Sequence, residues 1–160
     1  MNKPNQIRDL LINALPFLGR NPDRLQVYID QGNLAATTVK ENLSFEYQYK
    51  CIVLVTDYAD HSDTIMVPLL AWLYRNQHEL LANPDKRKTG IQFRAELLNN
   101  NTADIEITLD LTERVKVSQT DEGMKVEHLP EPDINPYAEF EWELFIQGQQ
   151  VEVGDTGGEP

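Results

Sequence analysis

The chain has 160 residues, 41% of them hydrophobic and 25% charged, which is ordinary globular composition and enough length for one proper core. Acidic residues outnumber basic ones 26 to 14, and the formal net charge of -12 repels a phosphate backbone, which argues against a free-standing nucleic-acid binder. A single cysteine, Cys51, excludes an internal disulfide and a paired-cysteine zinc site.

Along the amino-terminal stretch, Ile7, Leu10, Leu11, Ala14, Leu15 and Leu18 recur at helical spacing, so an amphipathic helix is expected over about 5–18. Pro4 suits its first turn, and Gly19 with Pro22 ends it. This stretch lacks the unbroken apolar core and small-residue cleavage site of a signal peptide. No run reaches transmembrane length, so a soluble protein made in a cytoplasm is expected, with no membrane partner.

LQVYIDQGNLAATT reads as two extended runs around Asp30-Gln31-Gly32-Asn33, a hairpin. SFEYQYKCIVLVTD is a longer strand. Phe45, Tyr47 and Tyr49 share one face of its first half, and its second half is apolar on both faces, as in the middle of a sheet. Cys51 lies in that apolar run, where a buried, inert thiol is expected. MVPLLAWLYRNQHELL is a second helix, with Met66, Leu69, Leu70, Leu73 and Leu80 on one side and Trp72 in the core. Pro68 places its start close to Ile65, and NPDKRKTG ends it with a solvated basic loop at 85–88.

IQFRAELL is a strand, and ADIEITLDLTERVKV is the clearest one. Ile105, Ile107, Leu109, Leu111, Val115 and Val117 point one way, and Glu106, Thr108, Asp110, Thr112, Arg114 and Lys116 the other. Glu113 falls on the apolar face. It is read as a strand-end bulge, as a partly buried carboxylate paired with a basic residue such as Arg94, or as a charge presented to a neighbouring subunit. SQTDEG then turns the chain into MKVEHL. From Leu129 the composition shifts to proline and acid, so 1–129 is read as a core domain and 130–160 as an arm. The arm holds one possible strand in which Trp142, Leu144 and Ile146 alternate. The fold class is α+β, a mostly antiparallel sheet packed against two amphipathic helices.

TDYADHSD, residues 56–63, packs four metal-ligand types, Asp57, Asp60, His61 and Asp63, into seven positions. Their spacing matches neither a calcium-binding loop with its central glycine nor the HExxH pattern. The stretch sits between a buried strand and a helix start, where such side chains cap orphan N–H groups, and capping is the preferred reading, with Asp63 and Thr64 in that role. His61, His78 and His128 form no motif, and no phosphate loop or nucleophile elbow is present, so no catalytic, cofactor-binding or metal residue is assigned.

Taken in order, NPDRLQVYIDQG, LSFEYQYK, TDYADHSDTIMVPLLAWLYRNQHELLANPDKR, LLNNNTADIEITLDLTERVKV and VEHLPEP resemble the tail completion protein R family of P2-like contractile-tailed phages and prophages. WLYRNQHELL and LTERV are the most specific parts, and the resemblance runs from Met1 to about Pro132. It implies a tail-terminator-like single domain that caps the head-proximal end of the tail and prepares it for joining to the head. It further implies a six-fold ring of the chain with itself, tail tube and sheath proteins and head–tail connector proteins as partners, and DNA only passing through. Assembly would take place in the bacterial host cytoplasm, and the product would reside in the virion tail, with no cofactor. On that reading Glu113, Trp142, Leu144 and Ile146 are candidate subunit or partner contacts, and Glu106, Asp110, Asp121 and Glu122 candidate acidic lining of the passage. Two alternatives stand beside it: a head-side neck or connector component, and a small metal-dependent hydrolase built on TDYADHSD.

Overall fold

The computed structural model describes residues 1–36, 43–98, 101–121, 123–131, 144–146 and 149–151. Five antiparallel strands form the main sheet: β1 (Leu25–Ala36), β2 (Phe45–Tyr58), β3 (Ile91–Leu97), β4 (Ala103–Thr120) and β5 (Gly123–Leu129). The order is β1-β2-β4-β3, and β5 also pairs with β4. β4 is long enough to serve both neighbours on one edge. Its first half pairs with β3, from Leu97↔Ala103 to Ile91↔Leu109, and its second half with β5, from Arg114↔Leu129 to Thr120↔Gly123.

The gap between β3 and β5 would leave backbone donors of β4 without a ladder partner, a costly state for a half-buried N–H. Two groups from the preceding connection fill it. The Asp110 N–H donates to the Gly90 carbonyl at 2.9 Å, and the Thr112 N–H donates to Gln77 Oε1 at 3.1 Å. At Gly90 any Cβ would lie 2.2 Å from Leu80 Cδ1 and 2.8 Å from the Lys86 carbonyl, so the close approach needs glycine.

One face of the sheet carries the core. Cys51, Val53 and Val55 of β2 and Ile105, Ile107, Leu109 and Leu111 of β4 are buried there, as strand alternation predicts. Against them pack α1 (Lys3–Ala14), α2 (Pro16–Arg20) and α3 (Asp63–Asn76), and α1 touches both α3 and β1. The expected α+β architecture is the one observed. Burial pushes the Cys51 thiol up to about 12, so it stays an unreactive core residue.

Several local expectations are corrected. The amino-terminal helix is broken at Leu15, which is extended (φ -113, ψ 110), because the residue before Pro16 disfavours the α region. DQGN is no hairpin turn. β1 runs straight through it with a bulge between Ile29 and Gln31, which shifts the positions on the helix side of the sheet from Leu25, Val27 and Ile29 to Gly32 and Leu34, both exposed. α3 begins at Asp63, two residues earlier than expected, so Pro68 lies in its second turn and withholds a donor from the Thr64 carbonyl. The buried stripe of α3 is Ile65, Leu69, Trp72 and Leu73, while Leu70, expected on it, is 44% exposed. The helix then breaks at Gln77 into α4 (His78–Ala82) and α5 (Pro84–Thr89). The supposed basic loop is α5, capped by Asn83 Oδ1, which accepts from the Asp85 and Lys86 amides.

Beyond the main sheet, β6 (Leu144–Ile146) and β7 (Gln149–Val151) pair with each other, so two short strands stand where one was expected. Among the described residues no helix is long and apolar enough to cross a membrane.

Candidate functional site

The four ligand types of TDYADHSD do not converge. Asp57 sits at φ 52 beside a register irregularity of β2, its carboxylate pairs with Arg24, and its N–H donates to Asp104 Oδ1 at 2.9 Å. His61 Nδ1 lies 3.2 Å from the Asp63 carboxylate, and both side chains are about three-quarters exposed, at 74% and 76%. Asp60 is exposed. Among the described residues no three His, Cys, Asp or Glu side chains are grouped as a metal ion would need. The capping expectation also needs correction. Ser62 occupies the N-cap without a side-chain cap bond, and Thr64 Oγ1 donates to the His61 carbonyl rather than accepting from an amide. What remains is Asp63, an acid in the first turn, suited to the helix dipole.

The polar chemistry of the interior lies elsewhere, around Glu113. This residue is 6% exposed and faces the core side of β4. α1 has no side-chain cap of its own and no acid in its first turn. Glu113 supplies both functions from 110 residues away. Its carboxylate accepts from the Asn2 amide at 3.0 and 2.8 Å, from the Lys3 amide at 3.2 Å, and from the Tyr49 hydroxyl. A carboxylate on a helix amino terminus satisfies orphan donors and matches the dipole at once. Burial alone would raise the Glu113 pKa, but the hydrogen bonds from Tyr49, Asn2 and Lys3 outweigh it and hold the group below its usual value. The same burial and the facing carboxylate push Tyr49 upward. His128 Nδ1 stands 3.5 Å from Glu113 Oε2. Arg94, the expected partner, instead pairs with Glu106 on the opposite face at 3.3 Å.

A second buried group adjoins the first. Lys3 is 8% exposed, and its ammonium donates to Glu131 Oε1 at 2.6 Å, the Asn76 carbonyl at 2.6 Å and Gln77 Oε1 at 2.7 Å. Gln77 in turn donates to Thr112 Oγ1 at 3.0 Å. Neither Lys3 nor Gln77 carries a sequence signal of burial, since a lysine in a first helical turn and a glutamine between helices are ordinarily solvated.

The remaining candidates are scattered. Glu106 and Asp110 lie on the face away from α1, α2 and α3 and are ion-paired, Glu106 with Arg94 and Asp110 with Lys50 at 2.9 Å. Asp121 is exposed in the β4–β5 turn, where Gly123 adopts φ 128. Glu122 and Trp142 lie outside the described residues, and Leu144 and Ile146 belong to β6. A cleft of about 440 Å³ is lined by Gln48, Lys50, Gln77, Lys86 and Asp110 among others, and its Lys50–Asp110 pair is internally neutralised.

Missed by the sequence reading is an apolar surface on the strands themselves. Phe93 and Leu97 of β3 are 69% and 82% exposed, and Met124 and Val126 of β5 are 63% and 59% exposed. By register Phe93 stands opposite Ile107 and Val126 opposite Val117, so both continue the apolar face past the helices. The alternation of IQFRAELL and MKVEHL was its available signal, because a strand pattern tells which residues share a face and not where the covering helices stop.

An apolar face that reaches edge strands is suited to contact with other proteins. The family model for P2 phage tail completion protein R (GpR) matches residues 1–132. The chain belongs to this family. It is also 37% identical over 155 residues to tail completion protein R of Escherichia phage P2, covering 97% of this chain and 99% of that protein. The alignment therefore continues through most of the segment after Pro132, where the family model stops. No solved structure matches the chain.

Proposed function

We propose that this chain completes the tail of a P2-like phage or prophage particle by capping its head-proximal end, ending growth there and preparing the tail for the head. The near end-to-end alignment with the P2 tail completion protein carries this reading. The exposed apolar residues of β3 and β5 support it, since such surfaces on edge strands call for a protein cover. The role is structural rather than enzymatic. The tail tube and sheath, the head–tail connector and further copies of the chain are its partners.

Capping a contractile, six-fold tube calls for a six-membered ring, hence two different complementary patches on each subunit. DNA then passes through without adhering, which a net charge of -12 per chain favours. Asp121, exposed at the β4–β5 turn, is the stronger described candidate for the wall of that passage, and Glu122 stays a candidate on its charge alone. Glu106 and Asp110 would contribute as ion pairs rather than as bare acids. Trp142, Leu144 and Ile146 are assigned to contacts with a neighbouring subunit or tail protein, while Glu113, already occupied inside the chain, contributes to such a contact only by holding α1 in place.

The test adds purified protein to purified tail tubes and to head–portal particles and images both by electron microscopy. Rings are expected at the head-proximal tube end, with tube growth stopped. Bare tubes and decorated portals would move the assignment to the neck.

A further inference from the structure

Residues 130 and 131 follow the last ladder pair of β5, Arg114↔Leu129, so the sheet no longer holds them. Two contacts do. Arg114 donates to the Pro130 carbonyl at 2.7 Å, and the Glu131 carboxylate reaches the Lys3 ammonium at 2.6 Å with side-chain exposures of 17% and 10%. Lys3 has three donors, and its three acceptors are one from this segment, one from the end of α3 and one from Gln77, so no hydrogen is spare. Glu113 and Arg114 of β4 act on its charge, and Glu113 in turn meets His128 from β5 and Tyr49 from β2.

We propose that the Lys3–Glu131 pair is a latch that fixes where the carboxyl-terminal segment leaves the body, seating it on the first turn of α1. The latch is separable from the cap beneath it. Glu113 holds the Asn2 and Lys3 amides through their backbones, so α1 stays capped whatever side chain residue 3 carries. Loss of the ammonium instead leaves a partly buried carboxylate with no counter-charge, and Glu131 regains solvation only by moving outward with its neighbours. Burial pulls the Lys3 pKa down while Glu131 opposes that shift, as expected of an amine kept charged by its partner. The inference is independent of the tail-capping reading, because it concerns the free chain.

The test is amide hydrogen exchange on the full chain, comparing the parent with Lys3→Met, Glu131→Gln and the double variant. Exchange at the Leu129 amide, in the last ladder pair of β5, should rise about tenfold in either single variant, as local opening detached from the global transition does. The double variant should add little, since both changes remove one interaction. The Val53 and Ile107 amides in the core should be unchanged. Unchanged exchange at Leu129 in Glu131→Gln would overturn the latch. So would an equal rise at Val53 and Ile107, which would show general loosening. Should Lys3→Met fail to fold, the milder Glu131→Gln, at a 17% exposed position, decides the question.

Discussion

Two acidic regions of this molecule invite opposite mistakes. TDYADHSD crowds four ligand-type side chains into a short stretch, yet they are exposed or tied singly to neighbours, and they converge on nothing. Glu113 stands alone in an apolar row, yet two amides and a hydroxyl from α1 and β2 meet on its carboxylate. Density of ligand types along a chain is therefore a poor guide to chemistry. Convergence of donors on a desolvated group is a better one, because low local dielectric strengthens each bond and penalises each one left unmade.

The sharpest way to break the comparison is to remove the lone carboxylate. Glu113→Ala leaves the Asn2 and Lys3 amides and the Tyr49 hydroxyl facing a void, and the cost expected is about 3–5 kcal/mol, since each buried donor left unsatisfied costs about 1–3 kcal/mol. That equals truncation of a fully buried leucine, for which about 2–5 kcal/mol is usual. Chemical denaturation measures it. A loss below about 1 kcal/mol would place Glu113 with the surface acids.

Acid pH sharpens the same contrast. The folded pKa of Glu113 is depressed below the ordinary glutamate value of about 4.5. Its stabilising contribution is therefore complete above that value and is lost as the pH falls through the lower folded value. Stability should drop along this window in the parent chain and fall less steeply in Glu113→Gln, which keeps an acceptor oxygen but cannot titrate. Identical slopes in the two proteins would show that other carboxylates govern the acid transition.

The alternation of β4 made the strand, its core face and the oddity of Glu113 visible from residue order alone. Its partner was not visible. Arg94 lies near in sequence, but the true donors lie 64 to 111 residues away, and only the tertiary fold brings a helix start to that spot. The break at Leu15 was legible in principle, since Pro16 restricts the residue before it. The bulge at Asp30 was not, because the residues that make tight turns are also those that tolerate an extra residue in a strand. Leu70 was misplaced because the buried stripe centres on Ile65, Leu69, Trp72 and Leu73, about 100° round the helix from Leu70.

The smallest expected effect tests the crowded region on its own terms. Asp57 occupies the left-handed region, which aspartate tolerates better than alanine, and its side chain holds Arg24 across a surface about half exposed. Asp57→Ala should therefore cost about 1 kcal/mol, mostly from backbone strain, since an exposed ion pair adds little. Asp60→Ala, at an exposed position, should stay within about 0.5 kcal/mol. Melting the parent and both variants with and without millimolar zinc or magnesium separates the readings, because a ligand bound only by the folded state raises the melting temperature. No cation-dependent rise is expected in any of them. A rise in the parent that disappears in Asp60→Ala would mean that Asp60, His61 and Asp63 converge on an ion after all, and TDYADHSD would then rank with Glu113 as a built site.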